Sequence, residues 1–405
     1  MLERIRNTFH AYPRQFWLMF IGMFISTIGA GMIWPFLMIY VSEKLGLPLR
    51  SAAMLVTINA ATSLMASFAA GSLADRFGRK GVMVLSLATN GLIYLFMSQA
   101  NSYLAFAVLM FLTGASNPLY RVGADAMLAD LIPAEKRVDA YALTRMITNA
   151  GFAIGPAIGG FIASRSYALA FYLAAAGMMI YSLLLLFRAV ETLSPNARAA
   201  SQQGDERWGG YGRVAQDRPY VFFVLVTGIG LIAPIMLWVL LAVYTKQNYG
   251  ILESMYGWLP TTNALMCVFV QYSVTRMTRR YRPLPVIAVG MLVYAVGVGS
   301  VALGRDFLGF WVSMVVTTFG ELIIVPTAST YVANLAPADM RGRYMSMYWL
   351  AWSISSAVGP VLGGYLNDAI RPQAIWIGGL LIGLVSTVGL AALAYRQRKP
   401  DLLVD

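Results

Sequence analysis

Long stretches of the chain are almost free of charged residues, and short clusters of Lys, Arg, Asp and Glu separate them. Most of these apolar stretches reach about 20 residues or more, the length that a helix needs to cross the hydrocarbon core of a bilayer. They lack the alternation of apolar and polar residues that marks the strands of a membrane barrel. Because a helix satisfies its own backbone hydrogen bonds in lipid, the pattern predicts an all-α integral membrane protein.

Twelve membrane-spanning helices are predicted between the charged clusters. Their ranges are 14–41, 50–73, 81–99, 103–130, 138–164, 166–188, 219–245, 253–276, 284–304, 307–335, 342–367 and 372–395. Lys and Arg are unevenly divided between the connecting segments: 22 lie on the side of the N-terminus and only 6 on the opposite side. By the positive-inside rule, we expect a multi-pass protein of the cytoplasmic (inner) membrane with both termini in the cytoplasm.

The second half of the sequence repeats the first at a distance of 204 residues. This shift places Asn59 on Asn263, and GPAIGG at 155–160 on GPVLGG at 359–364. A repeat of six spans returns to the same side of the membrane, so we expect two six-helix bundles of parallel orientation. The predicted segments are a cytoplasmic N-terminal segment, an N-terminal bundle, a polar cytoplasmic linker, a C-terminal bundle and a cytoplasmic tail, at 1–13, 14–188, 189–218, 219–395 and 396–405.

The loop between the second and third spans, GSLADRFGRK, concentrates charge and glycine. Its notable residues are Gly71, Asp75, Arg76, Gly78, Arg79 and Lys80. Gly78 permits a tight reversal of the chain, and the basic residues hold the turn in the cytoplasm. The second repeat has Arg279 in place of Asp75, so it keeps positive charge there and lacks the acid.

With its twelve spans, repeated halves and basic linker, the chain resembles the major facilitator superfamily over its whole length, and residues 71–80 match that family's motif A. The resemblance implies the major facilitator fold and a cytoplasmic gate that closes when the cavity faces outward. It implies that Asp75 faces the positive N-terminal end of the eleventh helix, which begins near Arg341. Loop charges that only set the topology are the alternative.

The fifth span contains GFAIGPAIGG, which resembles motif C of the antiporter and drug-export branch. The residues that match are Gly151, Gly155, Pro156, Gly159 and Gly160. Small residues let two helix backbones approach closely, and proline kinks a helix. The motif favours export over import. Ordinary small-residue packing is the alternative, since the eleventh span carries a copy.

Glu321, in the tenth span, is the acidic residue nearest the middle of any span, where ionisable groups are costly. The repeat places it opposite Asn117, and the resemblance places both in a central cavity. Because burial disfavours the charged form, this carboxyl can take up a proton near neutral pH and release it toward the cytoplasm. We expect Glu321 to couple protons to substrate. A protonated Glu321 bonded to the nearby backbone is the structural alternative.

Further ionisable and polar residues lie in the fourth and fifth spans. Arg121 and Asp125 are four residues apart on one helix face, so a static ion pair is the first expectation. Arg145 lies at a similar depth, one turn from Asn149, and a network with changing pairs is the alternative. The drug-exporter pattern has an arginine at the position of Met110, so Arg121 or Arg145 would have to replace it.

Aromatic side chains and the 23 methionines suit a pocket that accepts apolar or cationic molecules. The aromatic candidates for such a cavity are Trp34, Tyr40, Tyr120, Trp238 and Tyr244. Many other aromatic residues must face lipid.

Enzymatic function is not expected. The sequence has one histidine, His10, and one cysteine, Cys267, and it has no phosphate-binding glycine loop, so neither a metal site nor a catalytic centre is predicted. The net charge of +12 reflects the topology and gives no reason to expect a nucleic-acid partner.

The predicted function is proton-coupled export of small amphipathic or cationic compounds by alternating access, which is multidrug efflux. The proton gradient is the driving force, and no cofactor is expected. The expected partners are a small-molecule substrate, protons and membrane lipids, and the expected form is a monomer. A proton symporter that imports a sugar or an organic acid is the main alternative, and a receptor or a channel is a more distant one.

Overall fold

The computed structural model describes residues 12–133, 136–193, 211–336 and 341–397, and the regular structure within these ranges is helical. The first half contains α1 (Arg14–Leu45), α2 (Leu49–Phe77), α3 (Arg79–Gln99), α4 (Tyr103–Leu131), α5 (Arg137–Ala163) and α6 (Tyr167–Arg188). The second half contains α7 (Tyr211–Gln216), α8 (Arg218–Tyr249), α9 (Glu253–Tyr256), α10 (Trp258–Phe269), α11 (Gln271–Thr278), α12 (Pro283–Ser300), a 3₁₀ turn (Val301–Leu303), α13 (Phe307–Leu335), α14 (Arg341–Ala369) and α15 (Ala374–Arg396).

The predicted all-α membrane fold is confirmed, with differences at two spans. Ten of the described helices are long and apolar enough to cross a membrane. The eighth predicted span is divided into α9, α10 and α11, with interruptions at Gly257 and Val270. The eleventh predicted span is the continuous helix α14, which is less apolar because it contains several serines together with Asn367 and Asp368.

The described residues group into two compact units. The first contains the described residues up to Leu37 and those from Ile58 to 193. The second contains Met38–Thr57 and the described residues from 211 onward. The end of α1 and the start of α2 therefore belong to the second unit, an assignment that the hydrophobic pattern does not predict.

Several polar contacts hold the segment Met38–Thr57 within the second unit. The backbone amide of Arg50 donates to Asp368 Oδ2 over 2.9 Å. Lys246 Nζ lies 2.9 Å from Glu43 Oε1 and also pairs with Glu253. Lys246 therefore joins a carboxylate of α1 to one at the start of α9.

The helices pack in the same pairs in each unit. In the first unit α1 packs on α5 and α6, and α3 packs on α4 and α6. In the second unit α8 packs on α14 and α15, and α12 packs on α13 and α15. These pairs correspond under the 204-residue shift, so the sequence repeat is also a structural repeat.

Matching glycines end the first helix of each repeat. Gly46, after α1, has φ of 60°, and Gly250, after α8, has φ of 67°. This left-handed conformation costs glycine little because it has no Cβ. The identity of these two positions, 204 residues apart, therefore reflects a shared requirement for chain reversal.

Candidate functional site

A cavity of about 380 Å³ lies within the first unit between α1, α4 and α5. It is lined by Met23 and Thr27 from α1, by Tyr120, Arg121, Ala124 and Asp125 from α4, and by Tyr141, Thr144, Arg145 and Thr148 from α5. Its volume is in the range of small-molecule sites. The cavity brings together four of the predicted site residues, whereas the predicted residues Asn117 and Asn149 are not among its lining.

The charged residues of this cavity are not paired with each other. Among the described residues, no nitrogen–oxygen distance of 4.0 Å or less joins Arg121 or Arg145 to a carboxylate. The static ion pair expected between Arg121 and Asp125 is therefore not formed in this structure. The Tyr141 hydroxyl donates instead to the backbone oxygen of Asp125 over 3.0 Å, which ties α5 to α4.

The two arginines of the cavity lie well inside their helices. Arg121 is ten residues before the end of α4 at Leu131, and Arg145 is eight residues after the start of α5 at Arg137. At 1.5 Å per residue, these positions are about 15 Å and about 12 Å from the helix ends. Two helices of opposite direction thus bring two guanidinium groups to a similar depth.

Glu321 of α13 is half-buried, and its hydrogen-bond partner comes from α10. Asn263 Nδ2 donates to Glu321 Oε2 over 2.8 Å and also reaches Thr318 Oγ1 at 3.0 Å. No lysine or arginine among the described residues lies within 4.0 Å of this carboxyl. A neutral amide therefore holds Glu321. Asn117, its counterpart in the first repeat, is exposed.

Two tryptophans related by the repeat have similar neighbours. Trp34 of α1 is within hydrogen-bonding reach of Tyr94 on α3, and Trp238 of α8 is within reach of Tyr294 on α12. Both tryptophans are half-buried. In each unit, therefore, the first helix of the repeat is linked to the third by an aromatic pair.

The other aromatic candidates differ in their surroundings. Tyr120 lines the cavity of the first unit. Tyr244 is 1% exposed and packs against Phe310 and Trp376, so it belongs to the core of the second unit in this structure. Tyr40 is also buried, and its hydroxyl accepts a hydrogen bond from Lys44 over 2.7 Å.

Gly78 of motif A lies between α2 and α3 with φ of 89°, which confirms the predicted tight reversal. The carboxylate of Glu191, beyond the end of α6, accepts hydrogen bonds of 3.1 Å from the backbone amides of Arg79 and Lys80. It also accepts from two backbone amides of its own segment, at residues 192 and 193. Glu191 therefore satisfies the first amides of α3 and places negative charge at the positive end of that helix.

The remaining residues of motif A have different surroundings. Arg79 forms an ion pair with Asp130 of α4, Gly71 lies in α2, and Arg76 is exposed beside Phe77. The side chain of Asp75 and residues 337–340 lie outside the described part of the structure. The predicted contact between Asp75 and the eleventh helix therefore stays a prediction.

Motif C forms the contact between α5 and α1. A Cβ atom added to Gly155 would lie 2.9 Å from Gly31 Cα, and one added to Gly151 would lie 2.8 Å from Thr27 Cβ. Gly159 faces Met32 in the same way, and Pro156 and Gly160 are buried beside it. The backbones of α5 and α1 therefore approach each other closely, as predicted.

The sequence pattern did not predict a functional role for Glu191, Asp130 or Asn263. No local pattern marks Glu191 or Asp130, because each contacts α3 from a segment distant in sequence. The sequence does give a reason to select Asn263, since the repeat has asparagine at both equivalent positions, 59 and 263. A polar residue retained in both copies of an apolar helix indicates a contact that both bundles need.

The family model described as Major Facilitator Superfamily matches residues 19–237 and 220–404, which together cover both repeats. The chain belongs to the major facilitator superfamily. A Na(+), Li(+), K(+)/H(+) antiporter of Planococcus maritimus is 29% identical to this transporter, with 88% of this chain and 89% of that protein covered. Multidrug resistance protein MdtH of Salmonella newport is 24% identical, with 83% of each chain covered.

Solved structures agree with this major facilitator fold. A mutant of the nucleoside transporter NupG has a TM-score of 0.80 at 13% identity and covers 93% of this chain and 99% of its own. A POT family transporter in complex with a thioalcohol-conjugated peptide has a TM-score of 0.79 at 16% identity and covers 96% of this chain and 97% of its own. At these identities the likeness shows the fold alone. The family model and the membrane-length helices together identify the protein as a multi-pass major facilitator transporter.

Proposed function

We propose that this transporter is a proton-coupled antiporter that exports small amphipathic compounds by alternating access. Its driving force is the proton gradient, without a cofactor, and its location is the cytoplasmic membrane with both termini inside. Relatives described as a cation/proton antiporter and as a multidrug resistance protein support this proposal. The motif C packing of α5 on α1 supports export, although α14 packs on α8 through glycines at the equivalent positions.

The observation that carries the proposal is the setting of Glu321. Its partner is the neutral side chain of Asn263, and no described lysine or arginine lies within 4.0 Å. A carboxyl held by a cation would resist protonation, whereas an amide can donate to the ionised acid and accept from the protonated one. Glu321 therefore has a partner in both protonation states, as a coupling group requires.

Everted membrane vesicles test this function directly. Respiring vesicles acidify their interior, so an exporter should accumulate a fluorescent amphipathic dye only while the proton gradient is present. Glu321→Gln should lower this accumulation to the level of vesicles that lack the protein. Asp306→Asn is the matched control, because it removes a carboxylate at the start of the same helix while asparagine still caps α13.

Two results would contradict the proposal. Absence of gradient-driven accumulation by the native protein, at normal abundance in the membrane and across dyes of both charges, would exclude export. Equal accumulation by native protein and Glu321→Gln would exclude Glu321 as the coupling group.

Proton-coupled import of an organic acid is the second candidate, and the two unpaired arginines of the first-unit cavity favour it. Right-side-out vesicles with an acidic exterior separate the two directions. An importer would accumulate substrate in these vesicles, whereas an antiporter would accumulate it only in everted ones.

A further inference from the structure

We infer that the cavity between α1, α4 and α5 binds the anionic group of an amphipathic substrate, with Arg121 and Arg145 as the anion-binding residues. This inference rests on the proposed transport function, because it names the substrate class of the transporter's own cavity. It applies to export and to import alike, since it concerns recognition and not direction.

The guanidinium groups of Arg121 and Arg145 are not paired with an acid among the described residues. Each guanidinium carries five N–H donors and cannot lose its charge. Within the described part of the chain, neither Arg121 nor Arg145 has a carboxylate within 4.0 Å, and no side-chain hydrogen bond of either one is found. Both arginines are exposed, so their donors are open to a ligand, and a carboxylate accepts from a guanidinium group in a favourable planar geometry.

The neighbouring hydroxyl groups of the cavity donate to backbone oxygens of the helices. Thr27 donates to the Met23 carbonyl over 2.6 Å, and Thr148 donates to the Thr144 carbonyl over 3.0 Å. The Tyr141 hydroxyl is likewise committed to a backbone oxygen. Because these hydroxyl protons are already donated to backbone oxygens, the two arginines are the strongest hydrogen-bond donors that the cavity offers to a ligand.

The lining of the cavity contains more positive than negative charge. Arg121 and Arg145 supply two positive charges, and an ionised Asp125 supplies one negative charge, so the net charge is at least +1. An organic cation would meet repulsion from two guanidinium groups, whereas an organic anion would meet attraction. The sequence-based expectation of a cationic substrate is therefore not supported by this cavity.

The remaining lining suits the apolar part of such a substrate. Met23 and Ala124 contribute aliphatic surface, and Tyr120 contributes an aromatic ring whose hydroxyl is 3.4 Å from that of Tyr181. A cavity of about 380 Å³ can hold a bicyclic aromatic acid. We therefore describe the ligand as a small aromatic or aliphatic body with one carboxylate.

Three naphthalene compounds of similar size provide the test. They are 2-naphthoate, 2-naphthalenemethanol and 2-naphthylmethylamine, which are anionic, neutral and cationic at neutral pH. Calorimetric titration of the purified full-length protein in lipid nanodiscs should show that naphthoate binds at least ten-fold more tightly than the other two. Arg121→Gln and Arg145→Gln should each weaken naphthoate binding about ten-fold, with little change for the alcohol.

Matched variants separate charge recognition from structural damage. Arg165→Gln removes one positive charge from the loop between α5 and α6, outside the cavity, so naphthoate should bind it as tightly as native protein. Asp125→Asn raises the net charge of the cavity and should tighten naphthoate binding several-fold. Because the expected effect of Asp125→Asn is tighter binding, this variant tests anion recognition even if both arginine variants fail to fold.

Native protein that binds naphthoate no more tightly than the alcohol would overturn the inference. So would naphthoate binding that Asp125→Asn weakens, or that both arginine variants leave unchanged. These binding measurements require no proton gradient. A failure of Glu321 to couple transport therefore leaves them unaffected, and the two proposals can fail separately.

Discussion

Asn263 Nδ2 donates a hydrogen bond of 2.8 Å to Glu321 Oε2 and so joins α10 to the acid in the middle of α13. At the equivalent position of the first repeat, Asn59 donates over 3.1 Å to the backbone oxygen of Met110. The same asparagine therefore binds backbone in one bundle and a carboxyl group in the other. At this pair of equivalent asparagines, therefore, a carboxyl group is the partner in only one of the two bundles.

Replacement of Asn263 by alanine should impair coupling. The change removes the hydrogen bond to Glu321, and bonds of this kind to charged groups contribute about 1.5–3 kcal/mol. We expect gradient-driven dye accumulation in everted vesicles to fall about ten-fold. Asn59→Ala is the matched control, because it removes the equivalent amide without touching an acid. It should lower thermal stability while accumulation per folded molecule stays near native.

Gly78→Ala should destabilise the turn between α2 and α3. Gly78 has φ of 89° and ψ of 150°, a region essentially restricted to glycine, so alanine there carries a backbone cost of about 1–3 kcal/mol. Its methyl group would also collide with the Glu191 carboxylate. We expect a lower melting temperature in detergent. Gly81→Ala, three residues later on the open surface of α3, has no atom within 4 Å of its new methyl group and should be neutral or slightly stabilising. Equal melting temperatures for the two variants would contradict this account.

Gly155→Ala should be more damaging than the same change at Gly359, its repeat counterpart. At Gly155 the added methyl group would lie 2.9 Å from the backbone of α1 at Gly31, which cannot move without separating the helices. At Gly359 the added methyl group would lie 3.1 Å from the Cγ2 methyl of Ile235 and 3.2 Å from the Ile232 backbone oxygen, so smaller shifts accommodate it. Overpacking costs about 1–3 kcal/mol, so we expect a clear loss of melting temperature at Gly155 and a smaller one at Gly359. The reverse order would count against close backbone packing as the role of motif C.

Lys246→Met should destabilise the second unit strongly. Glu253 is 3% exposed, and Lys246 is the cation paired with it, so the change leaves a buried carboxylate without that partner. Loss of one member of a buried ion pair costs roughly 3 kcal/mol or more. Glu43→Gln breaks only the ion pair between Lys246 and the exposed Glu43, and it should cost below about 1 kcal/mol. Chemical denaturation of both variants, followed by tryptophan fluorescence, measures the difference.

The hydrophobic pattern predicted the fold well, because apolar length and repeat spacing are local properties of the chain. The six helices α1 to α6 contain the first six predicted spans to within one residue. Gly78 has the predicted reversal, and motif C packs as closely as its small residues suggested. The eighth span was less well predicted, since the pattern gave no sign of the interruptions at Gly257 and Val270.

The sequence by itself determined the membrane class, the helix positions, the two repeats and the presence of one deep acid, since each follows from residue types and their spacing. The tertiary structure alone decided that Asn263 holds Glu321, that Glu191 binds the first amides of α3, and that Arg121 and Arg145 share a cavity without pairing to Asp125. These contacts depend on the rotation and neighbours of each helix. Because apolar residues surround most of these helices, spacing along one helix does not reveal which of its faces meets which partner.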